Sequence, residues 1–267
     1  TVAPQGSTNP LKLWEWLAQY ERKTGGEVLA IAHNGNLSNG MMFPLDIESD
    51  GKPLDMQYVQ QRDKWEPLYE ATQFKGDGEA HPFLSPDDEF ADFETWDIGN
   101  LDVSQAKTDA MLAGEYAREG LKRGLQLQAK LGINPYKFGM AGGSDSHNSA
   151  SPYRQDNFFG LHADADGSVA RRFAGALIGG TMDVRLENPG GLTGVWAEEN
   201  TRASLFEAIK RKETFAVSGP HIKVRLFAGW DFKPDLLESK DWVKFSYAHG
   251  VPMGGDLPPS SASKPPS

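Results

Sequence analysis

Cysteine is absent from all 267 residues of this chain. Its absence excludes disulfide bonds, thiolate metal ligands and a cysteine nucleophile at once. A metal site in this chain would therefore have to be built from nitrogen and oxygen ligands, which histidine, aspartate and glutamate provide.

Long apolar runs and excess positive charge are also lacking. No apolar stretch reaches the roughly 18 residues that a transmembrane helix needs, so we expect no membrane span. The chain has 27 basic against 37 acidic residues and a formal net charge of −10, so we expect no nucleic-acid partner. An anionic substrate would need a local positive centre, and a bound divalent cation would supply one.

Helical and strand-like segments alternate along the first four fifths of the chain. Asn9 and Pro10 are typical of a helix start, and that helix is expected to end near Gly25. Apolar residues 28–32 predict a buried parallel strand, and residues 137–141 predict another. Helices are predicted over residues 55–71 and 109–131, from residue 86 after a Ser85 cap, and from residue 201 to residue 211. Short strands are predicted at residues 194–197 and 214–217.

The pattern changes after residue 221. Residues 223–227 and 242–247 alternate as antiparallel strands do, which predicts an antiparallel β appendage on an α/β body. We therefore divide the chain into an α/β portion over residues 1–220, the appendage over 221–257, and a flexible Pro/Ser-rich tail over 258–267. The length suits a single α/β barrel.

Two carboxylate–imidazole pairs share one spacing. Asp145 and His147 follow the predicted strand that ends near residue 141, and Glu79 and His81 follow a glycine-bearing segment. Residues i and i+2 of an extended chain point the same way, so each pair could bind one metal ion. The alternatives are an Asp-Ser turn with a surface histidine for the first pair and a solvated loop for the second.

His33 directly follows the predicted strand over residues 28–32. In folds where strands and helices alternate, functional groups collect at the carboxyl ends of the strands, so we expect His33 to approach the two pairs. Imidazole and carboxylate ligands suit Zn²⁺, Mn²⁺ or Fe²⁺. The alternative is that His33 merely forms hydrogen bonds within its loop.

Arg202 lies at the start of the helix that Asn200 and Thr201 open. Free N–H groups at a helix start, together with one guanidinium, make a plausible anion site. A simple helix cap with an exposed arginine is an equally valid interpretation.

Four segments together resemble the family catalogued as domain of unknown function 3604. They are residues 32–36 (Ala-His-Asn-Gly-Asn), residues 78–90 with Gly-Glu-Ala-His-Pro, residues 143–147 (Gly-Ser-Asp-Ser-His), and residues 191–202 with Gly-Val-Trp-Ala-Glu-Glu-Asn-Thr-Arg. The resemblance covers nearly the whole chain. That family in turn is similar to a branch of the PHP superfamily, named for polymerase and histidinol phosphatase.

The resemblance implies a distorted, TIM-like (β/α)7 barrel that holds two or three metal ions at its strand ends and hydrolyses phosphate esters. Asp145 and His147 match the superfamily's terminal Asp-x-His ligands. Glu79 corresponds to the bridging glutamate, and His33 or His81 to a further histidine ligand. Arg202 is the candidate that steadies the phosphate oxyanion while a metal-bound hydroxide attacks, and His81 is a second candidate catalytic residue. The resemblance also favours an exported or periplasmic location.

One departure from the superfamily pattern matters for activity. Superfamily members begin with a His-x-His pair on the first strand, and no His-x-His occurs in this sequence. We therefore expect an internal piece of a longer protein, with an incomplete barrel and metal site. Two alternatives to a phosphoesterase stay open: amidohydrolase-like cleavage of C–N or carboxylic ester bonds, and a catalytically incomplete fragment with a binding role.

Overall fold

The computed structural model describes residues 7–48, 50–147, 154–157, 177–178, 182–183, 187, 190–259 and 265–267. Within these residues the fold is mixed α/β, with helices packed around a parallel sheet. Half of the predicted tail over residues 258–267, namely residues 260–264, lies outside the described residues.

The helices are α1 (Pro10–Thr24), α2 (Met56–Trp65), α3 (Asp109–Leu112), α4 (Ala117–Leu131), α5 (Arg202–Lys210) and α6 (Trp242–His249). The strands are β1 (Ile31–Ala32), β2 (Leu68–Gln73), β3 (Gly76–Asp77), β4 (Gly139–Gly142), β5 (Leu177–Ile178), β6 (Met182–Asp183), β7 (Leu192–Val195), β8 (Thr214–Val217), β9 (Phe227–Ala228) and β10 (Val251–Pro252).

Strand β2 is the centre of the main sheet. It pairs in parallel with β1 on one side and with β4 on the other, and Leu68 lies opposite both Ile31 and Gly139. Further along, β3 turns back and pairs antiparallel with the end of β2. Because β1, β2 and β4 run the same way, they end on one side of the sheet, which we call the carboxyl edge; the opposite side is the amino edge.

Strands β7 and β8 pair antiparallel beside β4, and helix α5 lies in the connection between them. The Thr214 hydroxyl at the start of β8 donates to the Met140 carbonyl at 2.8 Å. The Thr193 hydroxyl contacts the Gly142 backbone at the other end of β4. The start of β8 and the end of β7 therefore lie at the amino edge.

The described strands form one open sheet and separate two-stranded pairs, with no closed barrel among them. The prediction of an α/β fold is confirmed at this level, and the TIM-like closure implied by the family resemblance is not seen. None of the helices in the described ranges combines the length and the apolar character that crossing a bilayer requires.

A cluster of aromatic side chains fills the space between α1, α2, α4 and the sheet. Its largest fully buried members include Trp14, Tyr58, Trp65, Tyr69 and Tyr136. An ion pair of Arg62 with Glu66, at 2.7 Å, is buried at the margin of this cluster. The burial of these rings supplies the main stabilisation of the layer that supports the carboxyl edge.

Several predicted elements are confirmed with their capping chemistry. The Asn9 side chain accepts a hydrogen bond from Leu11 N–H at the start of α1, and Gly25 ends the helix with φ 69°. Thr201 caps α5 in the same manner by accepting from Ser204 N–H. Strand β8 covers the predicted residues 214–217.

The prediction of a helix over residues 55–71 is wrong beyond Trp65. Helix α2 ends there, and β2, the central strand, begins at Leu68. Pro67 explains the break, because proline has no N–H to donate and disfavours helical backbone in the residue before it. Residues 68–73 are held extended because neighbouring strands pair with β2 on both sides. Local residue propensities carry no information about such pairing.

The strand predicted over residues 28–32 is shorter than expected. Only Ile31 and Ala32 pair, and Ile31 is 42% exposed, because β1 has no partner on its outer side among the described strands. A strand covered on both faces was expected there.

Three further predictions differ from the structure. Residues 242–247, expected as a strand, belong to α6, where Phe245 and His249 stack one helical turn apart with ring centroids 4.0 Å apart. An alternating sequence with aromatic residues at spacings of three and four is equally compatible with a helix.

The helix expected after Ser85 is a series of turns, because the Asp88 carboxylate accepts the Phe90 N–H at 3.0 Å and favours a local turn. Of residues 223–227, only Phe227 is in a strand, and β9 pairs antiparallel with β10.

Candidate functional site at the carboxyl edge

Polar side chains from three parallel strands meet at the carboxyl edge. His33 and Asn34 follow β1, Glu70 lies within β2, and Asp145 and His147 follow β4. A Glu70 carboxylate oxygen accepts the Asn34 N–H at 3.1 Å, and His147 Nε2 lies 3.3 Å from Asp145 Oδ1. We call His33, Glu70, Asp145 and His147 the strand-end cluster.

Lys75 supplies a positive charge to this cluster. Its ammonium group lies 2.5 Å from Asp145 Oδ2, and its side chain is only 7% exposed. The Lys75 backbone is fixed as well, since its N–H donates to the Gln73 side chain at 2.8 Å and its carbonyl accepts from Asn36 at 3.0 Å. The ammonium group is therefore held at the carboxyl edge by its own loop.

The charges of the cluster act on one another. Burial raises the pKa of Glu70; the Asn34 N–H, His33 and Lys75 oppose that rise, and Asp145 adds to it. Burial lowers the pKa of Lys75, against the attraction of Asp145, Glu70 and Glu187. The pKa values of half-buried Glu70 and buried Lys75 are both shifted by the charge of Asp145, so the strand ends share one electrostatic environment.

Two residues at the carboxyl edge adopt left-handed backbone conformations, Asn34 with φ 55° and Asp145 with φ 53°. Asparagine and aspartate tolerate this region better than other non-glycine residues. Gly35 follows Asn34 where an added Cβ would overlap the Tyr69 hydroxyl. Strained backbone of this kind is concentrated at functional sites, because surrounding contacts must hold it in place.

Glu79 lies in a different ion-pair network. Its side chain is 50% exposed, and Oε1 accepts from Arg118 Nε at 3.1 Å and from Nη2 at 3.0 Å. Arg118 also binds the Asp88 carboxylate, at 2.5 Å. The structure therefore engages Glu79 with Arg118 rather than with the strand-end cluster.

His81 is buried, and its hydrogen bonds fix its tautomer. Nδ1 accepts the Phe83 N–H at 3.1 Å, so the ring proton belongs on Nε2, which donates to Asp97 Oδ2 at 2.8 Å. The ring packs against Tyr116 with centroids 5.2 Å apart. Both ring nitrogens are occupied, which is the arrangement of a structural histidine.

Arg202 is the exposed first residue of α5. The chain enters α5 from Val195, which pairs with Thr214, and leaves it toward Glu213. Both connections start at the amino edge, so the segment that carries Arg202 is attached to the side of the sheet away from Asp145.

Glu70 and Lys75 were missed by the sequence reasoning. Glu70 fell inside the predicted helix over residues 55–71, where a glutamate is expected on a solvated face. Pro67 was the available signal, because it separates α2 from the six residues Leu68–Gln73, which Phe74, Lys75 and Gly76 follow. Only the pairing of β2 with both neighbours shows that Glu70 points into a shared site.

The donor set suits a divalent metal chemically, since it combines two carboxylates with two imidazoles. The geometry is not that of a finished metal site: within the described ranges, no three histidine, aspartate or glutamate side chains converge as metal ligands. Lys75 instead provides the positive charge next to Asp145.

Comparison with known families gives one match. The model of a family described as "Protein of unknown function (DUF3604)" matches residues 1–267. Neither the comparison with curated proteins nor that with solved structures gave a match.

Proposed function

The chain belongs to the DUF3604 family, and on that premise we propose that it is a metal-dependent hydrolase of phosphate mono- or diesters of the PHP type. The observation that supports the proposal most strongly is the meeting of His33, Glu70, Asp145 and His147 at one edge of a parallel sheet. Catalytic groups of α/β folds are found at such edges.

The strand-end cluster would hold the metal through its carboxylates and imidazoles. A divalent ion there would generate a hydroxide nucleophile near neutral pH and offset charge on an anionic substrate. The chain's own contribution is to position the donors: Asn34 N–H orients the Glu70 carboxylate, and Lys75 orients that of Asp145. The same lysine competes with a cation for Asp145.

We place Glu70, rather than Glu79, as the central carboxylate of the proposed site. Glu70 faces His33 and Asp145, whereas both contacts of Glu79 Oε1 are to Arg118. The roles assigned to Glu79, His81 and Arg202 on the family resemblance stay predictions, and the experiment below separates Glu79 from Glu70.

A second candidate function is binding without catalysis. The Lys75–Asp145 ion pair favours it, because an internal cation already balances the carboxylate that a metal would need. In that case the strand-end cluster stabilises the edge of the sheet, and the chain takes up no metal.

The test is metal analysis and turnover on the same preparations. We expect the purified chain, equilibrated with Mn²⁺ or Zn²⁺ and desalted, to retain metal by elemental analysis and to hydrolyse p-nitrophenyl phosphate or bis(p-nitrophenyl) phosphate. Asp145→Asn and Glu70→Gln should each lower metal content and turnover at least about tenfold.

Glu79→Gln is the matched control and should retain both properties. Loss of metal in Glu79→Gln but not in Glu70→Gln would reverse our choice of glutamate. Hydrolysis of p-nitrophenyl acetate alone would favour carboxylic ester chemistry, and absence of retained metal in the wild type would favour the binding role.

A further inference from the structure

A cavity lies at the amino edge, away from the strand-end cluster. Its volume is about 560 Å³, and the side chains that matter in its wall are Trp196, Arg211, Glu213, Arg225 and Tyr247. Trp196 follows β7 and Glu213 precedes β8, and these are the strand ends at the amino edge. Volumes of this size accommodate small organic ligands.

Arg225 is surrounded by aromatic rings in this wall. Its guanidinium carbon lies 4.3 Å from the ring centroid of Trp196, 5.2 Å from that of Tyr247 and 5.7 Å from that of Phe227. Rings at these distances hold the guanidinium by cation–π attraction while leaving its charge without an anionic partner. The aromatic rings thus fix the position of the guanidinium group before any ligand binds.

The neighbouring carboxylate, that of Glu213, already has hydrogen-bond partners within the protein. Glu213, which is only 3% exposed, accepts from Arg211 Nε at 2.5 Å and from the Tyr247 hydroxyl. The Tyr247 hydroxyl in turn accepts from Arg225 Nη2 at 2.9 Å. A hydrogen-bonded chain therefore runs from Arg211 through Glu213 and Tyr247 to Arg225 and fixes both guanidinium groups at the cavity.

Within this hydrogen-bonded series, the positive charge of Arg225 is not neutralised by a carboxylate. In the portion of the protein that the structure describes, no carboxylate pairs with it, and its Nε is buried without a hydrogen-bond acceptor. A buried N–H without an acceptor is costly, and native proteins supply an acceptor from water or a ligand. Glu198, the other acid of the wall, is exposed to solvent.

We propose that this cavity binds a small organic anion with a flat apolar body. Its carboxylate or phosphate group bonds to Arg225 and Arg211, and its ring lies against Trp196 and Tyr247. Guanidinium groups match both kinds of oxyanion with paired hydrogen bonds, and aromatic walls match a flat body. The site is separate from the proposed hydrolytic site and needs no metal.

The test is calorimetric titration of the full chain in metal-free buffer, with benzoate and phenyl phosphate as probes up to about 10 mM. We expect saturable binding of at least one of them; which one binds more tightly distinguishes a carboxylate from a phosphate ligand. Benzyl alcohol, which lacks the charge, and inorganic phosphate, which lacks the ring, should each bind at least about tenfold more weakly.

Arg225→Met should weaken binding of the better probe at least about tenfold, and Lys223→Gln, an exposed neighbour, should leave it unchanged. Because Arg225→Met removes a packed side chain, Arg211→Gln provides an independent variant, which should weaken binding about threefold or more. Absence of saturable binding, binding of benzyl alcohol as tight as that of benzoate, or full affinity in Arg211→Gln would overturn the proposal. Metal content is not measured in this experiment, so its failure would leave the proposed hydrolase untouched.

Discussion

At the scale of single residues, the properties of the carboxyl edge depend on a few charges, of which Lys75 is buried and Glu70 and Asp145 are half-buried. Burial raises the pKa of Glu70 and lowers that of Lys75, which favours the neutral form of each group. Opposite charges nearby act against both shifts. Such opposing effects make the site sensitive to the loss of any one charge.

Replacing Lys75 by methionine should destabilise the chain by about 2–4 kcal/mol, because Asp145 loses the partner that offsets its charge near half-buried Glu70. Urea denaturation followed by circular dichroism measures the change. Lys52→Met is the matched control, since Lys52 is 72% exposed in its pair with Asp50 and its loss should have little effect. Equal effects of the two substitutions would contradict the structural role of Lys75.

The raised pKa of Asp77 predicts how the free energy of unfolding depends on pH. Burial raises its pKa from 3.8 to about 7, although the N–H groups of Ala80 and Glu79 donate to its carboxylate. A pKa that is higher in the folded state means that folding favours the protonated form. The stabilising contribution is present below pH 4 and is lost as pH rises from about 4 to about 7.

The wild-type chain should therefore lose up to about 4 kcal/mol of unfolding free energy from this group across that range, and Asp77→Asn should remove that part of the slope. Urea denaturation of both proteins between pH 4.5 and pH 8 makes the comparison. Parallel pH profiles for the two proteins would show that Asp77 ionises normally.

At the scale of elements, short strands with tightly constrained connections build the site. Strand β1 has two residues, and the loop that follows it carries His33 and Asn34 past Tyr69. The Tyr69 hydroxyl lies 3.2 Å from the carbonyl oxygens of Gly78 and Glu115 and shares its single proton between them, so it cannot move aside without losing these contacts.

Gly35→Ala should for this reason destabilise the chain by about 1–3 kcal/mol through overpacking. The same substitution should disturb the environment of His33, seen as a shift of its imidazole signals in NMR spectra. Gly143→Ala is the control at the end of β4, because an added Cβ there meets no atom within 4 Å. A Gly35→Ala protein as stable as Gly143→Ala would show that the loop has more room than described.

At the scale of the whole molecule, the described strands differ in how extensively they are paired. Strand β2 has hydrogen-bonded neighbours on both sides and is mostly buried, whereas β9 and β10 form an isolated pair of two residues each. The candidate hydrolytic site thus rests on the best-supported strand, and the Arg225 cavity lies beside a smaller unit.

Native-state hydrogen exchange should show this difference. Amides of Leu68–Gln73 should exchange at least about tenfold more slowly than those of Phe227–Ala228, because opening β2 requires breaking pairs on both sides. Mass spectrometry of peptic fragments resolves the two segments. Equal exchange rates for the two segments would mean that the β9–β10 pair opens only together with the main sheet.

The sequence by itself determined the α/β class, helix α1 with its caps, strand β8 and the positions of the Asp145 and His147 pair, because these depend on local chemistry: capping side chains, a proline at a helix start, and apolar runs followed by polar loops. Only the tertiary structure decided that residues 68–73 form the central strand, that residues 242–249 form a helix, and that Glu70 and Lys75, rather than Glu79, join Asp145. The reason is physical: strand pairing and burial join residues far apart in the chain, and their free energy exceeds the weak local preferences that a single sequence displays.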